Sequence, residues 1–167
     1  MILAFDTYYF DDKAKTVCIS FKNWPDSEII KSYSETIYND VPYESGEFYK
    51  RELPCILSLF EKIEINRIEA ILVDGFVFLD DYGKLGLGGR LYESLNKKIP
   101  VIGIAKSHFA TMHQSEKELI RGRSEKPLYI TSAGIGLEKA AKLIHSMYGG
   151  NRIPSLLKRL DRLTREK

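Results

Sequence analysis

Three acidic residues occupy positions in the sequence where an acid is unfavourable. Asp6 interrupts an apolar run at residues 2–10, and Asp74 ends the most apolar segment of the chain. Glu52 precedes Ile56 by one helical turn and therefore falls on the apolar stripe of a predicted helix. Because an ionised carboxylate is costly to bury alone, each acid needs a cation, a metal ion or strong hydrogen-bond donors.

Carboxylate oxygens are the ligands that Mg²⁺ and Mn²⁺ prefer. Two such ions, about 4 Å apart, can activate a water and stabilise the leaving oxygen when a phosphodiester is hydrolysed. Taken alone, each acid is also explained as a capped or ion-paired structural residue. If the strands of Asp6 and Asp74 are neighbours and the helix places Glu52 beside them, the three carboxylates together favour a Mg²⁺ site, with Mn²⁺ as the alternative.

Two other residues have the chemistry to contact a nucleic acid. Lys106 follows a predicted strand at residues 100–105, at the sheet edge where Asp74 also lies, and can hold a phosphate as a point charge. Tyr43 lies in a predicted loop and can stack on a base. The alternatives are an exposed lysine at a strand end and a tyrosine that covers the edge of the core.

The elements that must position these residues follow from the hydrophobic pattern. Alternating or continuous apolar residues predict strands, and apolar residues three and four apart predict helices. Pro54 should start the first helix or kink it. Residues 108–126 are polar and poorly periodic. The predicted strands are residues 2–10, 16–21, 28–37, 68–73, 100–105 and 128–131, and the predicted helices are residues 46–63, 85–95, 137–147 and 154–163.

This order of elements predicts an α/β fold with one mixed sheet. Three antiparallel strands come first and parallel strands follow, with helices on both faces because the crossovers are right-handed. The arrangement resembles the ribonuclease H-like fold. A length of 167 residues predicts a single domain, residues 1–167.

Composition excludes several other classes of protein. The two cysteines, Cys18 and Cys55, are far apart and lack metal-ligand spacing, which argues against a disulfide framework and a zinc site. No apolar run approaches the roughly 20 residues that span a bilayer. The first residues lack the basic segment of a signal peptide, so we expect a cytoplasmic protein that does not bind membranes.

The net charge of +2 conceals an asymmetry between the two halves of the chain. Residues 1–83 contain 8 Lys and Arg against 16 Asp and Glu, whereas residues 84–167 contain 17 against 7. A basic half is typical of proteins that bind a charged partner. The alternative is that both sets of charges are solvated surface.

Five segments form an ordered series through most of the chain. They are Phe5-Asp6-Thr7-Tyr8, Pro42-Tyr43-Glu44-Ser45-Gly46 through Arg51-Glu52-Leu53-Pro54, Val73-Asp74-Gly75, Lys84-Leu85-Gly86, and Ile99-Pro100-Val101-Ile102-Gly103-Ile104-Ala105-Lys106-Ser107. In order and spacing, this series resembles the motifs of the endonuclease V family. That family cleaves nucleic acid containing inosine, a deaminated adenosine, at the second phosphodiester on the 3′ side, with Mg²⁺.

The resemblance implies a Mg²⁺-dependent endonuclease that acts on inosine in DNA or RNA in nucleic-acid repair. It also implies a nucleic-acid partner, and we expect a monomer. The site residues carried over are Asp6, Glu52 and Asp74 as metal ligands, Lys106 as the phosphate-contacting lysine, Tyr43 as the wedge at the lesion, and Gly75 and Ser107 beside the substrate.

Two departures from the family pattern concern residues near this site. Where the family has Asp-Gly-Gln-Gly, the chain has Asp74-Gly75-Phe76-Val77, and a following histidine is absent. Where the family has Ser-Pro-Gly-His, the chain has Ser132-Ala133-Gly134-Ile135. An alternative function is therefore a catalytically weak or inactive nucleic-acid-binding protein of the same fold, and a weaker one is a nuclease for another lesion or an RNA structure. Retention of the three acids and the lysine favours the enzyme.

Overall fold

Residues 1–166 are described by the computed structural model, and they form one seven-stranded sheet with four helices. The expected domain, residues 1–167, also includes Lys167, which lies outside the described residues. The strands are β1 Ile2–Phe10, β2 Lys13–Phe21, β3 Lys31–Tyr38, β4 Ala70–Asp74, β5 Val101–Ala105, β6 Lys117–Leu119 and β7 Leu128–Ala133. The helices are α1 Tyr49–Phe60, α2 Leu87–Ser94, α3 Leu137–Ser146 and α4 Ser155–Arg165.

The strand order across the sheet is β3-β2-β1-β4-β5-β7-β6. Strands β1, β2 and β3 form an antiparallel meander, and β4 and β5 then continue the sheet parallel to β1. The predicted mixed sheet and its ribonuclease H-like class are confirmed. Beyond β5, strand β7 pairs antiparallel with β5. Strand β6 pairs antiparallel with β7 and forms the edge of the sheet.

Each face of the sheet is covered by a different pair of helices, because successive side chains of a strand point to opposite faces. In β1, Ile2 and Ala4 pack in a core that α3 and α4 complete. Leu3 and Phe5 pack in a second core, completed by α1 and α2. By this alternation Asp6, the next even-numbered residue of β1, faces the α4 side.

Several element boundaries differ from the sequence prediction. Strand β3 begins at Lys31 rather than at residue 28, and the polar segment 108–126 contains the three-residue strand β6. Pro54 lies inside α1 rather than at its start. It occupies the exposed side of the helix, where water can reach the carbonyl that loses its partner.

Helix α2 packs very closely against the segment that follows β4. A Cβ atom on Gly86 would lie 2.5 Å from the Phe76 carbonyl oxygen, and one on Gly89 would lie 2.4 Å from that of Val77. Only glycine fits at these two positions. The close contact fixes the segment after Asp74 against the sheet.

The cysteines and the lengths of the helices complete the description of the fold. Cys18 and Cys55 are both buried free thiols. None of the helices in residues 1–166 has the length and apolar character needed to cross a bilayer.

Candidate active site

Two predicted acids and the predicted lysine meet at the carboxyl edge of the sheet. The parallel pairing of β1 and β4 places Phe5 beside Val73, so Asp6 and Asp74 follow at the same level. Lys106 comes directly after β5, the strand that pairs with β4 on its other side. All three residues line one cleft between the sheet edge and α4.

The cleft has a volume of about 350 Å³ and combines an apolar floor with a charged rim. Its floor is formed by side chains from β4, β5, β7 and α4, including Leu72, Ile104 and Leu128. Charged residues of α4 complete the rim opposite the sheet edge. These α4 residues are Lys158, Asp161, Arg162 and Arg165.

Lys106 and Asp74 form a loose ion pair. The distance from Lys106 Nζ to Asp74 Oδ2 is 3.5 Å, and each side chain is about half exposed, at 47% and 48%. An exposed pair with this separation contributes little free energy. The ammonium group of Lys106 therefore keeps donor capacity for another anion.

Asp6 is a partly buried carboxylate in an environment that disfavours its charge. Burial, followed by the charges of Asp74 and Asp161, raises the pKa of Asp6 to about 6. Thr164 on α4 donates a hydrogen bond to Asp6, with 3.4 Å between Thr164 Oγ1 and Asp6 Oδ2. The nearby cation Lys106 offsets the repulsion only in part.

Glu52 approaches from α1, on the opposite face of the sheet. Glu52 is buried, with 6% of its surface exposed. Burial, and then the charges of Asp6 and Asp74, raise the pKa of Glu52 well above its ordinary value. Within residues 1–166, no hydrogen-bond donor or cation counteracts these effects. Glu52 does not line the cleft, but the charges of Asp6 and Asp74 still contribute to its raised pKa.

Within the described part of the chain, no three His, Cys, Asp or Glu side chains are arranged closely enough to hold a metal ion as they stand. The pKa shifts of Asp6 and Glu52 nevertheless reveal a shortage of positive charge around them. A divalent cation would supply that charge, and a set of carboxylate oxygens has the chemistry that Mg²⁺ or Mn²⁺ requires. The chemistry of these donors therefore fits such an ion, whereas their spacing in this structure does not.

Asp161 was not identified from the sequence, although it lies in the same cleft as Asp6 and Asp74. Its carboxylate accepts hydrogen bonds from Arg165, four residues later on α4. Helix α4 is basic and amphipathic, and an acid on such a helix is typically part of its solvated face. A single acid between Lys158, Arg159, Arg162 and Arg165 was the available signal.

Three predicted substrate-contacting residues occupy exposed or constrained backbone positions. Tyr43 is 68% exposed in the loop between β3 and α1. Ser107 is exposed directly after Lys106. Gly75 has a φ of +126°, a conformation that side chains rarely adopt, and a Cβ atom there would lie 3.1 Å from Phe48.

The segment after Gly75 is filled by its own side chains. Phe76 is 9% exposed, and its ring centroid lies 5.7 Å from that of Phe109. Val77 is fully buried, and its backbone N–H donates to Thr131 Oγ1 at 2.8 Å. The structure therefore has two buried side chains, Phe76 and Val77, at the positions where the family pattern has Gln-Gly.

The segment 108–116 is held in place by the side chain of His108 and by backbone N–H groups. His108 Nδ1 contacts Glu116 Oε1, and the ring packs against Tyr129. The backbone N–H groups of Gln114 and Ser115 donate to Asp81 and lower its pKa to about 2. This segment is therefore anchored to the loop that carries Asp81.

The mixed sheet and the acids at its carboxyl edge define a protein of the ribonuclease H-like class. The sequence profile described as Endonuclease V matches residues 1–162. The chain belongs to the endonuclease V family.

Individual relatives agree with this assignment. An endonuclease V from Dehalococcoides mccartyi is 30% identical over 165 aligned residues, covering 87% of this chain and 71% of that protein. An endonuclease V from Trichormus variabilis is 29% identical over 104 residues, covering 62% of this chain and 45% of that protein. The alignment thus spans less than half of the Trichormus protein.

The fold also matches a solved structure. The crystal structure of Ciona intestinalis endonuclease V, in complex with a 24mer DNA containing an inosine followed by a ribo-adenosine, superimposes with a TM-score of 0.82. The sequence identity is 17%, and the match covers 98% of this chain and 84% of that one. At this identity the likeness establishes the fold.

Proposed function

We propose that this protein is a metal-dependent endonuclease that hydrolyses a phosphodiester 3′ of inosine in DNA or RNA, in nucleic-acid repair. The observation that best supports the proposal is that Asp6 and Asp74 meet at the carboxyl edge of the sheet, in one cleft with Lys106. Burial, and then the charges of neighbouring acids, raise the pKa of Asp6 and of Glu52, and the charge of Lys106 opposes this shift at Asp6. The expected cytoplasmic location stays a prediction.

In this proposal Asp6, Glu52 and Asp74 hold Mg²⁺, with Mn²⁺ as a substitute. A cation held by these residues would supply Lewis-acid activation of the phosphodiester and would neutralise negative charge that develops during hydrolysis. The chain contributes the position of each acid: β1 and β4 fix two of them at one sheet edge, and α1 supplies the third.

Lys106 binds a non-bridging oxygen of the phosphate in this proposal. Its Nζ lies at the edge of the cleft, 3.5 Å from Asp74, so the phosphate is held beside the carboxylates. Asp161, oriented by Arg165, adds a third carboxylate to the cleft, beside Asp6 and Asp74. Because Asp161 raises the pKa of Asp6, its charge also increases the demand for a cation.

The substrate strand is positioned by residues around the cleft. Tyr43 is exposed and available to stack on a base next to the lesion. Gly75 leaves room for the backbone, and the Ser107 hydroxyl offers a donor beside Lys106. The basic half of the chain supports binding of the phosphate backbone, and the Ciona endonuclease V was crystallised in complex with DNA that contains an inosine.

A second candidate function is a nucleic-acid-binding protein of the same fold with weak or no catalysis. The observation that favours it is the packing of Phe76 against Phe109, which closes the segment after Gly75. A protein that does not hold a base in this segment has lost one route to lesion recognition.

A strand-cleavage assay separates the two functions. Matched oligonucleotides, with inosine or adenosine at one position, are incubated with the protein in Mg²⁺ or in EDTA. The enzyme reading predicts cleavage 3′ of the inosine in Mg²⁺ and none in EDTA. Binding without cleavage in either Mg²⁺ or Mn²⁺ would select the second function.

A further inference from the structure

A second concave site adjoins the cleft on its α4 side. It is an open pocket of about 600 Å³. It shares Ile153 and Lys158 with the cleft that contains Asp6 and Asp74, so the two sites are adjacent. Its lining residues are Arg123, Ser124, Gly150, Asn151, Arg152, Ile153 and Lys158.

The pocket has a strong positive charge that carboxylates do not compensate. Its lining contains three cations, Arg123, Arg152 and Lys158, and no acid. Within residues 1–166, none of the three forms a salt bridge. Two other cations of α4 differ in this respect, since Arg159 pairs with Glu28 and Arg165 with Asp161.

The wall of the pocket is held in place by hydrogen bonds to backbone carbonyls. The Arg152 guanidinium donates to the Pro127 carbonyl at 2.7 Å and to the Lys106 carbonyl at 2.5 Å. It thereby ties the pocket to the lysine of the cleft. Buried Arg121 donates to the carbonyls of Met147 and Asn151, which fixes the segment that leads to α4.

The neutral residues of the lining add donors to this charge. The Asn151 side chain offers amide donors in this lining, whereas the Ser124 hydroxyl already donates to the Lys126 carbonyl at 3.1 Å. Arginine, lysine and such neutral donors are the groups that proteins use to hold phosphate oxygens. With three cations and no acid, the lining suits an anion better than a metal ion.

We infer that this pocket, called the phosphate pocket below, binds a backbone phosphodiester of the substrate strand other than the one that is hydrolysed. The inference rests on the proposed function, because it takes the strand that occupies the cleft to continue past Lys158. A phosphate held here fixes the register of the strand relative to Lys106, to which Arg152 is hydrogen-bonded. Sequence-independent contacts of this type supply affinity and position.

The test compares two double variants that each remove two positive charges. Arg123→Gln with Lys158→Gln alters the phosphate pocket, and Lys139→Gln with Lys142→Gln alters exposed cations of α3 outside both concave sites. Both are made in an Asp74→Asn background, so that binding is measured without cleavage. Circular dichroism melts check that each variant is folded.

The probe is a set of oligonucleotides with one neutral methylphosphonate at each backbone position in turn. For the unmodified strand, the phosphate-pocket variant should bind about 10-fold more weakly, and the slope of log affinity against log salt should fall by about 0.7–0.9. At one position, the methylphosphonate should weaken binding of the parent protein by a similar factor and have no effect on the phosphate-pocket variant. The α3 variant should change affinity by about 2-fold or less.

Two results would overturn the inference. One is that the methylphosphonate and the phosphate-pocket variant are coupled at no backbone position. The other is that the α3 variant loses as much affinity for the strand as the phosphate-pocket variant does. Strands with a 5′-hydroxyl and a 5′-phosphate separate the two sources of phosphate. Coupling that requires the terminal phosphate would replace the internal site by an end-binding site. The wild-type protein can fail the cleavage assay while the methylphosphonate and the phosphate-pocket variant are still coupled in binding. That result would support the phosphate pocket and contradict the proposed endonuclease activity.

Discussion

Thr164, on the last helix, donates a hydrogen bond to Asp6, on the first strand, with 3.4 Å between Thr164 Oγ1 and Asp6 Oδ2. The single proton of this hydroxyl is shared with the Asp161 carbonyl, which lies closer to Thr164 Oγ1, at 2.7 Å. Lys15 of β2 adds a second link, donating to the Leu163 carbonyl at 3.0 Å. Helix α4 is therefore attached to the strands beside the acids, and its position determines the width of the cleft.

Removing the Thr164 hydroxyl should loosen this attachment. Thr164→Val keeps the volume of the buried side chain but removes the donor, so the free energy of unfolding should fall by about 0.5–1.5 kcal/mol. Cleavage should slow several-fold because Asp6 is less well oriented. Thr164→Ser, which keeps the hydroxyl, is the control: urea unfolding and cleavage rates equal to those of Thr164→Val would show that the hydroxyl is unimportant.

Asp74→Asn should separate cleavage from binding. The change keeps the shape of the side chain and removes a proposed metal ligand, so cleavage should fall by about 100-fold or more. Affinity for the same oligonucleotide, measured by fluorescence anisotropy, should stay within about 3-fold. Asp40→Asn makes the same change at an exposed acid of the β3–α1 loop and should leave the rate unaltered.

The metal-free protein should also gain stability from Asp74→Asn. The charge of Asp74 raises the pKa of both Asp6 and Glu52, so its removal relieves repulsion among acids that no cation balances. Thermal melts in EDTA measure the effect. Cleavage near the wild-type rate, or a lower melting temperature in EDTA, would contradict the assignment of Asp74.

Stability of the metal-free protein should depend on pH through Asp6. Burial and the charges of Asp74 and Asp161 raise the pKa of Asp6 to about 6 in the folded state, whereas an unfolded aspartate titrates at about 3.9. The folded state then binds more protons between about pH 4 and 6, so the free energy of unfolding falls as the pH rises through that window. Asp6→Asn should remove this contribution, on the order of 1–3 kcal/mol.

Urea unfolding in EDTA across the same window measures the difference between wild type and Asp6→Asn. Asp81 does not interfere, because backbone donors lower its pKa to about 2 and its contribution is lost only below about pH 4. If the free energy of unfolding has the same pH dependence in Asp6→Asn as in the wild type, the raised pKa does not belong to Asp6.

Discrimination between inosine and adenosine should be weak. Phe76 and Val77 replace the Gln-Gly pair of the family pattern, and both side chains are buried against the protein itself. Losing one hydrogen bond to an uncharged base edge costs about 0.5–1.5 kcal/mol, which lowers the preference roughly 2- to 13-fold. Single-turnover rates on strands with inosine, uracil or adenosine at one position measure the preference.

The control for this measurement is a relative with the glycine-containing segment, assayed on the same strands. An inosine preference as strong as that of the relative would show that recognition does not depend on the segment after Gly75.

Local sequence was sufficient to predict the elements that form the sheet edge. The run of β-branched and aromatic residues at 2–10 gave the bounds of β1, and the continuous apolar run before Asp74 predicted a buried strand. The convergence of Asp6 and Asp74 follows from parallel pairing of those two strands. Both predictions needed only periodicity and the rule for crossover handedness.

Features that depend on tertiary contacts were not predictable. Strand β6 consists of Lys117, Glu118 and Leu119, and it exists because it pairs with β7. Asp161 has no local signature of a buried or functional acid, and only the packing of α4 brings it to Asp6. The orientation of Phe76 was open for the same reason, since its partner Phe109 lies 33 residues away.

Anomalous diffraction from crystals soaked in Mn²⁺ tests the central claim most directly, because manganese identifies its own position. We expect a peak bounded by the carboxylates of Asp6, Glu52 and Asp74, and its loss in crystals of the Asp74→Asn variant. A peak elsewhere, or none among these acids in a protein that still cleaves the strand, would contradict the proposed metal centre.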